Sequence, residues 1–513
     1  MAKPFDFGEV NLSAGGDESP ATPESDPPFR VAILGDFSGR KSRGVCDAGS
    51  IANRRQVQID RDNFEEVFAK LAPEIQLHLG GAAAALSLRF SDFEEFHPDR
   101  LFERDALFQR LRSIRMRLED PASFAAVAQE LGLVSAEPPP SKTNVSELRP
   151  SVVPSARSIA SGSLLDQTIE QTEHRAPDEK TKRPDELQAF VRRVTEPHLV
   201  AAPDPRRSEV MDAIDRAISA QMRAVLRSPD FRELEAAWRA VFLLVRRVET
   251  SSQLKLCLID ISSDELAADL GSTSDLRSTG IYRLLVEKSV GTPGGEPWAL
   301  IAGNYTFGTD RHDLEVLGRL GKIAATAGAP FLAAASPRLL GCASLAATPD
   351  PRDWTQDANS AWRILRRLPE AAAIGLALPR FLLRLPYGKK TDPIESFDFE
   401  EMPDAPAHEN YLWGNPAFVC AILLAQSFSE YGWGLRPGAI SELSGLPLYV
   451  YQQNGESALQ PCTEALLTEQ AAELILETGL MPVLALKGKD SVRLARLQSI
   501  AEPLRPLAAR WNG

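Results

Sequence analysis

No apolar run in the sequence is long enough to cross a bilayer. The longest uninterrupted one, residues 417–425, falls well short of the roughly 20 residues a spanning helix needs. A leader of the secretory kind is missing too, because Met1-Ala2-Lys3-Pro4 runs into acidic, Ser/Pro-rich sequence and not into an apolar core. The chain is therefore read as cytoplasmic, with no direct membrane insertion. Cysteine is scarce: Cys46, Cys257, Cys342, Cys420 and Cys462 lie far apart, none pairs at CxxC spacing, and their odd number argues against a disulfide framework. Cys257 and Cys420 sit in apolar stretches, where a thiol behaves as a small hydrophobe. The histidines, His78, His97, His174, His198, His312 and His408, show no HExxH or other paired spacing, so neither a metal nor a cofactor is expected. Basic charge is in deficit. With 57 Lys and Arg against 70 Asp and Glu the formal charge is −13, which argues against nucleic acid as the main partner.

What the sequence does contain is ordinary globular composition, 43% hydrophobic and 25% charged over 513 residues, enough for about two to four domains with their own cores. Residues 1–27 are polar and read as a disordered, mobile tail. Order is expected from Phe29: FRVAILG reads as a buried strand ended by glycine, residues 57–60 as a short strand, residues 62–68 as the start of a helix, and residues 84–90 as another strand. Leucine, isoleucine and methionine spacing from Pro98 to Leu131 fits amphipathic helices. Proline then collects between about 134 and 205, which predicts a long flexible linker with two short helical islands, 164–172 and 186–194. A larger unit follows. Helices are expected over about 206–228 and 231–247, strands over 254–261, 298–302, 330–335 and 374–378, and further helices over 314–327 and 416–431. This alternation defines an α/β class.

A search for chemistry yields little. Gly35-Asp36-Phe37-Ser38-Gly39-Arg40-Lys41-Ser42 follows a strand as a phosphate loop would. A Walker A motif, however, places four residues between its glycines and lysine directly after the second. Here three intervene and Arg40 precedes Lys41, so a glycine-rich turn is the better reading. No GxSxG elbow occurs, and the doublets Glu65-Glu66, Glu94-Glu95 and Glu400-Glu401 read as surface charge. Nothing in these patterns supports an enzyme, and no catalytic residue is assigned. The conspicuous phrases are rich in Pro, Arg and aromatics. Leu378-Pro379-Arg380-Phe381-Leu382-Leu383-Arg384-Leu385-Pro386-Tyr387-Gly388 sets two arginines among apolar residues, where each must find carboxylate or carbonyl partners that tie loops to the core or hold a subunit contact. Leu412-Trp413-Gly414-Asn415-Pro416 joins a turn to a helix with proline near its first position.

These phrases carry a family resemblance. In order, FRELEAAWR (with Trp238), NYTFG, the APF and AASP pair, PRFLLRLPYG (with Arg380, Arg384 and Tyr387), YLWGN (with Trp413 and Asn415) and Tyr431-Gly432-Trp433 resemble the large subunit of the type VI secretion contractile sheath, over roughly 206–503. FRVAILGDFSGR, IDRDNFEEV and FSDFEEFHPDRL resemble the sheath's small subunit over roughly 28–133. The resemblance implies a small/large fusion: two sheath-subunit-like mixed α/β domains, 28–133 and 206–505, joined by the Pro-rich segment 134–205 and followed by a short tail, 506–513. It implies that the two domains pair within the chain, that Trp238, Arg380, Arg384, Tyr387, Trp413, Asn415 and Trp433 serve structure or assembly, and that the partners are sheath, tube or baseplate proteins. In the family the small subunit opens with a strand and the large subunit extends further at its end. These departures carry the expectation of a monomer or low oligomer that associates with an existing sheath or baseplate. An accessory or cap protein of the same machine, or an enzyme on this scaffold, are the competing readings.

Overall fold

Every residue of Phe29–Gly35 is buried, as befits an apolar run without alternation that lies between two helical layers. The computed structural model describes residues 5–9, 27–77, 86–104, 106–119, 205–355, 360–403, 406–453 and 455–512. In chain order these begin with β1 (Phe29–Gly35), β2 (Val57–Ile59), α1 (Phe64–Leu71), β3 (Glu74–Leu77), β4 (Leu86–Arg89), α2 (Pro98–Arg104) and α3 (Ala106–Glu119). Next come α4 (Pro205–Arg227), α5 (Pro229–Arg247), β5 (Leu254–Asp260), α6 (Ser263–Gly271), β6 (Leu300–Phe307), α7 (Arg311–Ala327), β7 (Phe331–Ala335), α8 (Ser360–Arg366), β8 (Ile374–Leu378) and β9 (Phe381–Leu382). The remainder is β10 (Trp413–Gly414), α9 (Ala417–Tyr431), β11 (Glu442–Leu443), the hairpin β12 (Tyr449–Gln453) and β13 (Glu456–Gln460), α10 (Glu469–Glu477), β14 (Met481–Ala485) and β15 (Val492–Leu494).

A nine-stranded sheet of order β11-β15-β14-β8-β7-β6-β1-β5-β2 organises the fold. The strands β5, β1, β6, β7, β8 and β14 run parallel, whereas β2, β15 and β11 are antiparallel to their neighbours. β1 is an interior strand, third from the β2 edge, in register with β5 (Phe29 opposite Leu254) on one side and β6 (Val31 opposite Leu300) on the other. Its alternate residues serve both faces. Ala32 and Leu34 enter a core with Leu314, Leu317 and Leu320 of α7 and Leu266 of α6, whereas Phe29 stacks on Phe428 of α9 at 4.6 Å between ring centres. The fold is thus a three-layer α/β sandwich, and its sheet takes strands from both of the segments that read as separate domains.

Local chemistry accounts for the element ends. Pro229 starts α5, Ser262 and Glu265 form a reciprocal capping box on α6, and Gly328 ends α7 at φ +66. α9 is apolar nearly all round because it is buried nearly all round, from Ala417 to Phe428. Among the described residues no helix is long and apolar enough to cross a membrane. Cys257, Cys342, Cys420 and Cys462 are buried thiols and Cys46 is exposed.

Several elements depart from the sequence reading. β6 starts at Leu300 and runs on to Phe307, so the strand expected over 298–302 begins later and takes in the NYTF phrase. β3 and the β12–β13 hairpin have no counterpart in the reading. Within the expected mobile tail, residues 5–9 lie against α7, because Phe5 and Phe7 supply two rings that pack on the core. The Pro-rich stretch, with its islands 164–172 and 186–194, lies outside the described residues apart from its last position, where α4 begins.

Candidate functional site

α5 presents Phe231, Leu234, Glu235 and Trp238 inward, so its apolar stripe contains one carboxylate, fully buried. That carboxylate is neutralised by two arginines. Arg239, one turn on, donates from Nε to Glu235 Oε1 at 2.7 Å, and Arg384 donates from Nε to the same oxygen at 2.8 Å. Arg384 then reaches Glu401, with Nη1 to Oε2 at 2.7 Å and Nη2 to Oε1 at 3.1 Å. Tyr387 closes the network: its backbone N–H donates to Glu401 Oε2 at 2.8 Å, its hydroxyl accepts from Arg239 Nη2 at 2.9 Å, and the Arg384 guanidinium lies 4.1 Å from its ring centre. Two arginines and two glutamates cancel. Burial acts to raise the Glu235 pKa, but the adjacent Arg384 and Arg239 charges pull it below the ordinary value. Burial pushes Tyr387 up to about 12. Glu235, Arg239 and Arg384 therefore keep their charges through neutral pH, which suits a structural tie.

A second carboxylate system lies at the carboxyl end of β1. Phe37 N–H and Ser38 N–H donate to Asp260 Oδ1 at 2.8 and 3.1 Å, and Arg40 N–H and Lys41 N–H donate to Asp36 at 2.7 and 2.8 Å. The amides that a phosphate would require are therefore held by the protein's own carboxylates. Glu265, fully buried, receives Arg40 at 2.7 Å and Arg54 at 2.6 Å, tying the loop to the N-terminus of α6. Gly39 is required here: at φ +71, a side chain would meet the Glu74 carbonyl at 2.2 Å.

Between these systems, at the carboxyl ends of the parallel strands, lies a cleft of about 600 Å³ lined by Lys41, Arg232, Asn304, Arg380, Trp413 and Asn415 among others. Ligands of open parallel sheets bind at this edge. Arg380 is half-exposed and donates to Glu464 from Nε at 2.8 Å and from its backbone N–H at 2.9 Å. Trp413 donates to His408 O at 3.0 Å, and Asn415 bridges Tyr305 O and Ala417 N–H at 2.9 Å each, fixing the start of α9. Trp238 belongs to the core; its indole donates to Phe37 O at 2.8 Å and its ring meets Phe68 at 4.6 Å. Trp433 stands at the opposite end of β1, donating to Pro27 O at 2.7 Å and packing on Phe29. The structure thus brings Arg384 and Tyr387 together, gathers Arg380, Trp413 and Asn415 around the cleft, and leaves Trp238 and Trp433 in separate packing sites. Glu235, Asp260 and Glu265 were not singled out by sequence, and Glu401, read with Glu400 as surface charge, is instead buried because it accepts from Arg384. Glu235 carried a usable signal, an acid at helical spacing between Phe231 and Trp238 on an apolar stripe.

A buried, charge-neutral network joined to a mixed sheet marks a structural tie within an α/β protein. Residues 208–501 match the VipB (EvpB) family, described as the tail sheath N-terminal domain, and residues 11–130 match the VipA family of the type VI secretion system. The chain belongs to the VipB tail-sheath family, with the VipA-type region ahead of it in the same polypeptide. It is similar to the type VI secretion system sheath protein TssC1 of Pseudomonas aeruginosa, at 36% identity over 306 residues. That match covers 57% of this chain and 61% of TssC1, so the chain spans about three fifths of that relative's length.

Proposed function

We propose that this protein is a non-enzymatic structural component of a type VI secretion machine, holding in one chain the counterparts of the small and large sheath subunits. It takes part in sheath or baseplate assembly in the cytoplasm and associates with sheath, tube or baseplate proteins. The observation that carries this reading is the position of β1. A strand from the VipA-type region lies inside the sheet between β5 and β6, which come from the VipB-type region. Parallel strands in that position are buried on both faces and exchange main-chain hydrogen bonds on both edges, so the two regions form one folded body. The residues proposed for structure and assembly, Trp238, Arg380, Arg384, Tyr387, Trp413, Asn415 and Trp433, hold that body's corners and cleft.

The test is cosedimentation of the full chain with separately produced sheath proteins of the same organism, followed by negative-stain microscopy. Incorporation into tubes, or decoration of their ends, is the expected result. Decoration confined to ends would favour the accessory or cap role. Failure to associate with sheath, tube or baseplate proteins, on mixing and on coexpression, would overturn the proposal.

A further inference from the structure

Residues 5–9, Phe-Asp-Phe-Gly-Glu, occupy a groove made by α7, the end of α6 and the turn at 272–276. The Phe7 ring fills the place where α7 has no side chain: a Cβ at Gly318 would lie 2.4 Å from Phe7 Cδ1. Phe5 stacks on Phe7 with centres 6.1 Å apart, and the Arg311 guanidinium lies 4.6 Å from the Phe5 ring centre. Arg319, buried in α7, meets Asp6 twice, with Nη2 3.0 Å from Oδ2 and Nε donating to the backbone carbonyl at 3.3 Å. The same guanidinium is held from behind by the Leu270 and Thr273 carbonyls. Lys322 Nζ donates to Gly8 O at 2.5 Å. Gly8 adopts φ +67, and a side chain there would come within 2.9 Å of Leu276. Glu9 completes a strand-like bridge, donating to Ser274 O at 2.8 Å and accepting from Leu276 N–H at 3.1 Å.

We propose that this groove is a peptide-binding site for a short segment in which two aromatic residues flank an aspartate and glycine follows, and that residues 5–9 are its ligand in cis. A tail that merely covered apolar surface would need only its rings. Here every position meets a group suited to it: a cation over the first ring, a buried arginine at the aspartate, a missing side chain under the second ring, a turn that only glycine enters without strain, and main-chain pairing at the last residue. Recognition thus combines an apolar slot, a charge-assisted contact and added-strand hydrogen bonds, as in other peptide grooves.

The test uses the full chain with Phe5→Ala and Phe7→Ala, which empties the groove, and a fluorescein-labelled synthetic peptide carrying residues 1–12. By fluorescence polarisation the peptide should bind the emptied chain. Binding should be at least tenfold weaker to the unaltered chain, where the cis segment competes, and to the emptied chain carrying Gly318→Val. A peptide with Asp6→Lys should also bind at least tenfold less tightly. No binding to an emptied chain that still melts cooperatively, or equal binding to the Gly318→Val form, would overturn the proposal. Hydrogen exchange on the unaltered chain gives an independent arm. The amides of Glu9 and Leu276 should be protected, and Arg319→Gln should speed their exchange at least tenfold without changing β1 or β6. Exchange of residues 5–9 at the unprotected rate in the unaltered chain would equally overturn it.

Discussion

Arg384 and Glu235 lie 2.8 Å apart in the interior, although 149 residues separate them along the chain. The contact joins α5 to the loop after β9, and Glu401 completes it from a third segment. Desolvating these charges is costly, so they persist only because each oxygen and nitrogen faces a partner. The pairing fixes how the Pro- and Arg-rich loop seats on the helix.

Breaking that network should therefore be expensive. Arg384→Met leaves Glu401 buried without its arginine, and the expected loss is about 3–5 kcal/mol. Glu235 retains Arg239 in that variant, so the stranded charge is Glu401. Adding Glu401→Gln should recover part of the loss. Urea unfolding of the single and double variants checks both the size and the partial recovery; a double variant less stable than Arg384→Met would contradict the assignment.

Trp238 is expected to act as packing plus one hydrogen bond. Its ring contacts Phe37, Phe64 and Phe68, and its indole satisfies the Phe37 carbonyl. Trp238→Ala should cost about 3–5 kcal/mol, whereas Trp238→Phe keeps most of the ring contact and should cost less, with about 1 kcal/mol from the lost bond. Thermal melts of the two variants give the order directly.

Acid should weaken the protein through Glu464. Burial alone would raise this carboxyl, but His408 and Arg380 outweigh it and hold the pKa at about 2. An unfolded glutamate titrates near about 4.3, so the folded pKa is depressed and the unfolded chain takes up the proton first. The stabilisation is present above about pH 4.3 and is lost as pH falls toward 2, amounting to about 2–3 kcal/mol. Glu464→Gln should flatten the stability–pH curve in that window. An unchanged slope would refute the role.

Buried strands were the most legible part of the molecule. Phe29–Gly35 and Ile374–Leu378 have the bounds their apolar runs indicate, because an interior parallel strand is marked by composition alone. Pairings were not legible. Nothing local tells that β1 lies beside β5 and β6, or that Arg384 meets Glu235, since both are decided by packing of segments far apart in sequence. The need of Arg384 for carboxylates was readable; their identity was not. The docking of residues 5–9 escaped notice because its signal is Gly318, a missing side chain on a different element. The cleft gathers Arg380, Trp413 and Asn415 from separate loops, so each phrase was visible while their convergence was not.

Cutting the chain tests the central relationship most directly. β1 is an interior strand of the sheet, between β5 and β6, and all its residues are buried. Removing the VipA-type region takes away β2 as well as β1, so it would open both edges of β5 and the facing edge of β6, and would uncover the Phe29 face of α9. Open interior edges of that kind aggregate, so neither fragment should be stable and soluble alone. A protease site inserted between residues 140 and 160 leaves the pairing residues intact while removing the covalent tie. After cleavage the fragments should coelute in size-exclusion chromatography at micromolar concentration and unfold together in a single transition. The melting temperature should then depend on protein concentration, which the intact chain's does not, because the pairing has become bimolecular. Fragments that separate on the column and each retain a cooperative transition would show that β1 does not tie the two regions into one body.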